Sequence, residues 1–266
     1  MEEREKVDHG KTEIGVKGNN FIFGSRAVIE AIDAGKEIEK VLIQKNLNND
    51  LIKELTGKIK AHKIPYVRVP LEKLNRFTRR NHQGVISYIS PIHFHALDHI
   101  IEQAFSKGRD PLLVILDRIT DVRNFGAIAR TMECAGADAI VIPSRGSALV
   151  GGDAMKTSAG ALNLLPVCRE ENLKNTINYL KTSGIRVIGC TEKTNRLIYG
   201  SSLHGPIAII MGSEENGISG EYLKLCDELV KIPMNGKIES LNVSVSTGIV
   251  LYEVLRQRNY SGNPSG

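Results

Sequence analysis

The sequence predicts a two-unit α/β protein, with a small domain over residues 19–92 and a larger, parallel-sheet domain over residues 111–260. Three observations carry this. Short apolar runs alternate with helical stretches through both segments, the pattern of strands and helices in turn. The run LLVILD at 112–117 is continuously apolar, as a strand buried on both faces must be. Polar and glycine residues follow directly after several apolar runs, at the strand ends where open parallel sheets collect ligands.

Residues 1–18 read as a flexible tail. In the first unit, GSRAVIEAIDAG predicts a helix closed by Gly35, with Ala27, Ile29 and Ile32 as its apolar positions. KVLIQ predicts a short buried strand, NDLIKELTGKIKAH an amphipathic helix with an Asn/Asp start, and YVRVP a second strand. The helix LEKLNRFT and the strand GVISYIS complete the unit. Residues 93–110 are expected to be a linker that contains a helix, punctuated by Pro91 and Pro111.

In the second unit, NFGAIARTMECAGADA predicts a helix with Phe125, Ile128, Ala129 and Met132 on one face, stopped by Gly136. AIVIP, IRVIGCT, PIAIIMG and ELVKIPM predict further strands. LNVSVSTGIVLYEVLRQR predicts a final helix, whose apolar stripe is Val243, Thr247, Val250, Leu251 and Val254.

Composition narrows the functional classes. A hydrophobic share of 41% and a charged share of 24% are enough to build a packed core without staples. No apolar run is long enough to cross a bilayer, and the polar start lacks a signal-peptide core, so a cytoplasmic location and no membrane partner are expected. The four cysteines are widely spaced with no CxxC pair, which argues against a disulfide framework and a zinc site; no metal is expected. His93, His95 and His99 lack a neighbouring acidic or cysteine ligand and read as linker surface.

Residues 19–92 hold 13 Lys/Arg against 7 Asp/Glu, whereas residues 93–266 hold 18 of each. A basic front beside a neutral body suits contact with a polyanion; a solvated lysine-rich surface explains the surplus as well. Arg79-Arg80-Asn81-His82-Gln83-Gly84 leaves the same two readings open, phosphate contact or a solvated turn.

Three loops stand out. Asp117 to Gly126 leads into the helix carrying Arg130; Asn124 suits a helix N-cap, and Arg130 lies off the apolar face, as a surface or a functional arginine. Met211-Gly212-Ser213-Glu214-Glu215-Asn216-Gly217 allows close backbone approach to a ligand, or forms an ordinary turn. It lacks a Walker ending, and no GxGxxG follows the first strand of the unit. Ile232-Pro233-Met234, followed by Glu239 to Gly248, concentrates Ser, Asn and Thr beyond what one N-cap needs; close helix packing is the other reading.

Taken together, these loops resemble the SpoU (SPOUT-class, TrmH-type) RNA 2′-O-ribose methyltransferases over residues 111–258. The match rests on Asn124-x-Gly-x-x-x-Arg130, on Ile210 to Gly217 and on Ile232-Pro233-Met234 with Ser240 to Ser244. The first unit, through Gly24-Ser25-x-x-Val28 and Asn81 to Val85, is similar to the ribosomal-protein-like RNA-binding domain of members that methylate a 23S rRNA guanosine. The resemblance implies a C-terminal trefoil knot, S-adenosylmethionine as cofactor, and a homodimer that completes the site, with RNA rather than DNA as partner. It implies Asn124, Arg130, Glu214, Ser240 and Asn242 in the catalytic pocket. Thr191, Met211, Gly212, Gly217, Ile232, Met234, Leu241 and Ser246 are then the cofactor-binding positions. Two alternatives remain at this point: a tRNA guanosine as substrate, and an RNA-binding ribosome-assembly factor with a vestigial site.

Overall fold

The computed structural model describes residues 21–78, 81–238 and 240–260; the expected tail at 1–18 lies outside them. The first unit is a four-stranded mixed sheet in the order β1 (Phe21–Phe23), β4 (Val85–Ile89), β2 (Ile38–Gln44), β3 (Tyr66–Val69). Helices α1 (Ser25–Asp33) and α2 (Asp50–Ala61) cover one face, burying Val28, Ile29, Ile52, Leu55 and Ile59 against Val41 and Ile43. The Asn49 side chain accepts from Ile52 N–H and starts α2. The short α3 (Leu71–Asn75) sets Leu74 against Leu42 and Ile86 on the other face. Strand β1 is a piece the sequence reading passed over.

The second unit is a seven-stranded, fully parallel sheet. Its order is β11 (Glu228–Val230), β9 (Arg186–Cys190), β10 (Ile207–Gly212), β6 (Leu112–Asp117), β7 (Ala139–Pro143), β8 (Val167–Glu170), β5 (Phe94–His95). Alternation along β6 shows why its sequence is apolar throughout. Leu112, Val114 and Leu116 pack on the side of α5 (Val122–Cys134) and α9 (Val243–Tyr260). Leu113 and Ile115 pack on the side of α4 (Leu97–Ser106) and α7 (Leu173–Thr182). Two helical layers therefore sandwich one sheet.

Residues 93–110, expected as a linker, are part of this sandwich. Strand β5 pairs with β8, and Leu97, Ile101 and Ala104 of α4 are buried in an amphipathic stripe on the sheet. A stripe at that spacing needs an apolar partner, and the nearest one is the second sheet. The two units meet at one buried ion pair. Arg169 Nη2 lies 2.5 Å from Glu39 Oε2 and its guanidinium stacks 3.5 Å from the centroid of the Phe94 ring. Burial pushes the Glu39 carboxyl up, opposed by the Arg169 charge. Burial likewise lowers Arg169.

Strand order also places the site. From β6 the chain moves outward through β7 and β8, then crosses to β9 and returns with β10 beside β6. The loops leaving β6 and β10 are therefore neighbours at the C-terminal edge of the sheet, with Gly212 in register with Asp117.

Candidate active site

Helix α5 begins at Asp121, whose carboxylate accepts from the N–H groups of Arg123 and Asn124, both at 2.8 Å. Asn124 is thus not the N-cap that its type suggested. Its side chain is released for another role. Gly126, two residues on, lets α5 press against α6 (Gly152–Thr157): a Cβ there would lie 2.8 Å from Ala154 O.

The released Asn124 meets two residues from distant loops. Its Nδ2 donates to Glu214 Oε1 at 3.2 Å, and its Oδ1 accepts from Asn242 Nδ2 at 2.9 Å. Asn242 Nδ2 also donates to Glu214 Oε1 at 2.6 Å, and Val243 N–H adds a third donor at 3.2 Å. One carboxylate oxygen therefore gathers three donors from two segments. Asn242 Oδ1 in turn accepts from Ser244 N–H and Oγ, which fixes the orientation of its amide at the start of α9.

The loop carrying Glu214 is shaped by glycine. A Cβ on Gly212 would lie 2.1 Å from Gly217 C, so the chain returns onto its own backbone there. Gly217 sits at φ +62° and its N–H donates to Ser213 O at 2.8 Å. Asp117 and Arg118, which open the first of the three loops that stand out in the sequence but had no role of their own there, clamp the Glu214 loop. The buried Asp117 accepts from Ser219 N–H at 2.7 Å, while Arg118 donates to Gly217 O at 3.1 Å. An acidic residue closing an otherwise apolar strand was the available signal.

Thr191, Met211 and Gly212 stand at the C-terminal ends of β9 and β10, and Thr191 N–H donates to Val230 O at 2.9 Å. Beside them, burial first and Glu192 second push the Cys190 thiol up to about 12, so it stays neutral. Beyond β11 the chain runs irregularly from Ile232. Met234, Ile238 and Leu241 are exposed there. Among the described residues, the main-chain N–H groups of Ile232, Met234 and Leu241 have no acceptor. Ser246 lies in the first turn of α9 and donates its N–H to Asn242 O at 2.9 Å.

Arg130 and Ser240 do not join the cluster within one chain. Both are exposed, and neither side chain hydrogen-bonds to a described residue. Arg130 follows Asn124 by six helical residues, which carries it about 9 Å along α5 and about 120° around it.

The family model of the SpoU rRNA methylases matches residues 111–252, and that of the RNA 2′-O ribose methyltransferase substrate-binding domain matches residues 21–95. A Staphylococcus saprophyticus protein named for the TrmH family of tRNA/rRNA methyltransferases is 37% identical over 91% of this chain and 97% of its own. The 23S rRNA (guanosine-2′-O-)-methyltransferase RlmB of Photobacterium profundum is 37% identical over 90% of this chain and 98% of its own. Among solved structures, the SpoU methyltransferase AviRb of Streptomyces viridochromogenes, in complex with AdoMet, shares the fold at a TM-score of 0.59 and 22% identity, covering 92% of each chain. With both units matched and three polar segments converging at the sheet edge, the chain belongs to the SpoU rRNA methylase family.

Proposed function

We propose that this protein transfers a methyl group from S-adenosylmethionine to a ribose 2′-hydroxyl of RNA, at a guanosine of 23S rRNA. The observation that carries the reading is the meeting of Asn124, Glu214 and Asn242, from three distant segments, beside the Gly212–Gly217 turn. The residues present fit the cofactor. N–H groups at Ile232, Met234 and Leu241 without an acceptor among the described residues, and exposed apolar side chains at Met234 and Leu241, suit a nucleoside with polar edges, while Gly212 lets the neighbouring loop fold back on itself. Thr191, Met211, Gly217 and Ser246 would complete that cradle.

When bound, S-adenosylmethionine supplies a sulfonium methyl already activated for attack. What remains for the chain is placement. The Asn124–Glu214–Asn242 network holds its amides in fixed orientation at the sheet edge, where they position the ribose. Guanidinium groups make poor bases, so the part assigned to Arg130 is electrostatic: it orients the target phosphate or 2′-hydroxyl together with Ser240. Because Arg130 turns away from the cluster of its own chain, a homodimer brings it to the site of a second copy. Exposed Val245 and Tyr252 on α9 suit such an interface. The irregular return from β11 into α9, which crosses beside the Ser213–Gly217 loop to reach Asn124, is the segment expected to form the trefoil knot. The basic first unit selects the RNA, and rRNA as substrate places the protein in the cytoplasm.

The test is transfer of labelled methyl from S-adenosylmethionine to unmodified 23S rRNA and to bulk tRNA, followed by mapping of ribose methylation. Label in 23S rRNA at one 2′-oxygen, lost in Arg130→Ala protein that still binds RNA, is the expected result. Label in tRNA alone would move the substrate. Absence of cofactor binding by calorimetry would leave only an RNA-binding assembly factor.

A further inference from the structure

The first unit carries a loop whose construction exceeds what a turn between α3 and β4 needs. The His82 ring is buried, its Nδ1 accepts from Gly84 N–H at 3.0 Å, and its Nε2 lies 2.8 Å from Asn75 Oδ1. The two contacts, one at each ring nitrogen, fix the orientation of the imidazole. Asn81 Oδ1 accepts from Gln83 N–H at 3.2 Å. Gly84 sits at φ +76° with no room for a Cβ, which would lie 2.5 Å from Leu47 Cδ2.

Between these fixed points Gln83 is forced to φ +48°, a left-handed conformation that is costly for a residue with a side chain. Glycine would adopt it freely, and nothing in the core uses the glutamine. Its side chain is exposed, has no hydrogen-bond partner among the described residues, and lies over the bare backbone of Gly24, whose ideal Cβ would stand 3.6 Å from Gln83 Oε1. A strained backbone thus holds an unengaged carboxamide at the surface.

The surroundings indicate what it meets. The ends of β1, β2 and β3 and the start of β4 share this edge, because β4 runs antiparallel to β1 and β2, and β3 parallel to β2. Arg26, Lys45 and Arg68 are exposed along it, and none forms an ion pair with a described residue. Cations without a salt-bridge partner, of which Arg68 also donates to Leu47 O at 3.1 Å, flank an exposed donor–acceptor amide, and together they suit a ribose–phosphate strand with an unstacked base. The edge also lies at the far end of β2 from the contact between the units. Strand β2 runs from Ile38, beside the Arg169 contact between the units, to Gln44 at this loop, a span of about 20 Å.

We propose, on the basis of the function put forward above, that Gln83 is a specificity-determining residue. Its carboxamide reads an unpaired base of the substrate RNA at an anchor point on the first unit, with His82 as its positioning residue.

The experiment measures filter binding of unmodified 23S rRNA and steady-state methyl transfer by the full chain and by Gln83→Ala and Gln83→Gly proteins. The glycine variant relieves the left-handed strain, so its melting temperature should rise. The expected result is a loss of RNA affinity, and a rise in KM for RNA, of about tenfold in both variants, with kcat and S-adenosylmethionine affinity unchanged. A more stable Gln83→Gly protein that binds RNA as tightly as the unaltered chain would overturn the proposal and leave Gln83 a turn residue. Because RNA binding is read independently of transfer, an unaltered chain that binds RNA but transfers no methyl would sink the enzymatic reading alone.

Discussion

Asn242 donates to the side-chain carbonyl of Asn124 at 2.9 Å, although the two stand 118 positions apart in the chain. Both amides are held by Glu214, so the carboxylate is the hub of the contact. If these amides position the ribose as proposed, Glu214→Ala should lower kcat by about 100-fold, because both lose their common acceptor. The cluster is only partly buried, so the melting temperature should fall by no more than a few degrees, on the order of 1 kcal/mol. Glu214→Gln keeps the one oxygen that accepts all three donors but loses the charge that strengthens those bonds, and its loss should be intermediate. Labelled-methyl assays with thermal melts check both. A full unfolding of Glu214→Ala would show the hub to be structural instead.

The Gly212–Gly217 contact makes a second, sharper prediction. A Cβ at Gly212 meets backbone at 2.1 Å, and backbone cannot swing aside as a side chain can. Gly212→Ala should therefore destabilise the chain by about 1–3 kcal/mol and abolish S-adenosylmethionine binding in calorimetry. Gly57, inside α2, is the contrast: nothing lies within 4 Å of its ideal Cβ. Gly57→Ala should stabilise by about 0.5–1 kcal/mol through helix entropy alone. Opposite shifts in chemical denaturation midpoints test the pair.

Much of the site could be read from the chain, and the reasons it stopped short are physical. Glycine and polar residues after LLVILD and PIAIIMG announce loops at a sheet edge, because a buried parallel strand leaves no other place for them. Asn124 was legible as a helix-start residue, but which of Asp121 and Asn124 caps the helix depends on where the chain turns, and only the former is aimed at free N–H groups. Strands β1 and β5, of three and two residues, are too short to show any period. The Glu39–Arg169 pair joins positions 130 residues apart, and neither charge advertises a partner locally.

That pair supports a third prediction, in which pH gives the sign. Each ion is nearly buried, so removing one strands the other. Arg169→Ala should cost about 3–5 kcal/mol, while the double change to leucine at both positions should recover most of it. Burial already raises the folded-state pKa of Glu39, and Arg169 is the largest influence holding it down. Without Arg169 the folded carboxyl takes up a proton more readily than the unfolded one. Stability of the single variant should then rise as pH falls from 7 toward the ordinary carboxyl value of 4.5, and level off below it. Urea midpoints across that range would refute this by staying flat.

The last prediction concerns Arg130 and the outer face of α9. Val243, Thr247, Val250, Leu251 and Val254 are buried against the sheet and α5, yet Val245 and Tyr252 on the same helix stand half-exposed. They are seven residues apart, hence on one stripe, which an isolated chain would leave in water. Val245→Glu with Tyr252→Glu should convert a dimer to a folded monomer in light scattering, since neither side chain supports the core. The monomer should bind RNA but transfer no methyl. Arg130 offers the decisive control. In a two-fold dimer in which each Arg130 serves the opposite site, mixing Arg130→Ala with Asn242→Ala protomers leaves one intact site in every heterodimer. Random exchange should then restore about a quarter of the activity of the unaltered protein from two inactive variants. If Arg130 serves its own chain, every site in the mixture carries one defect and no activity returns.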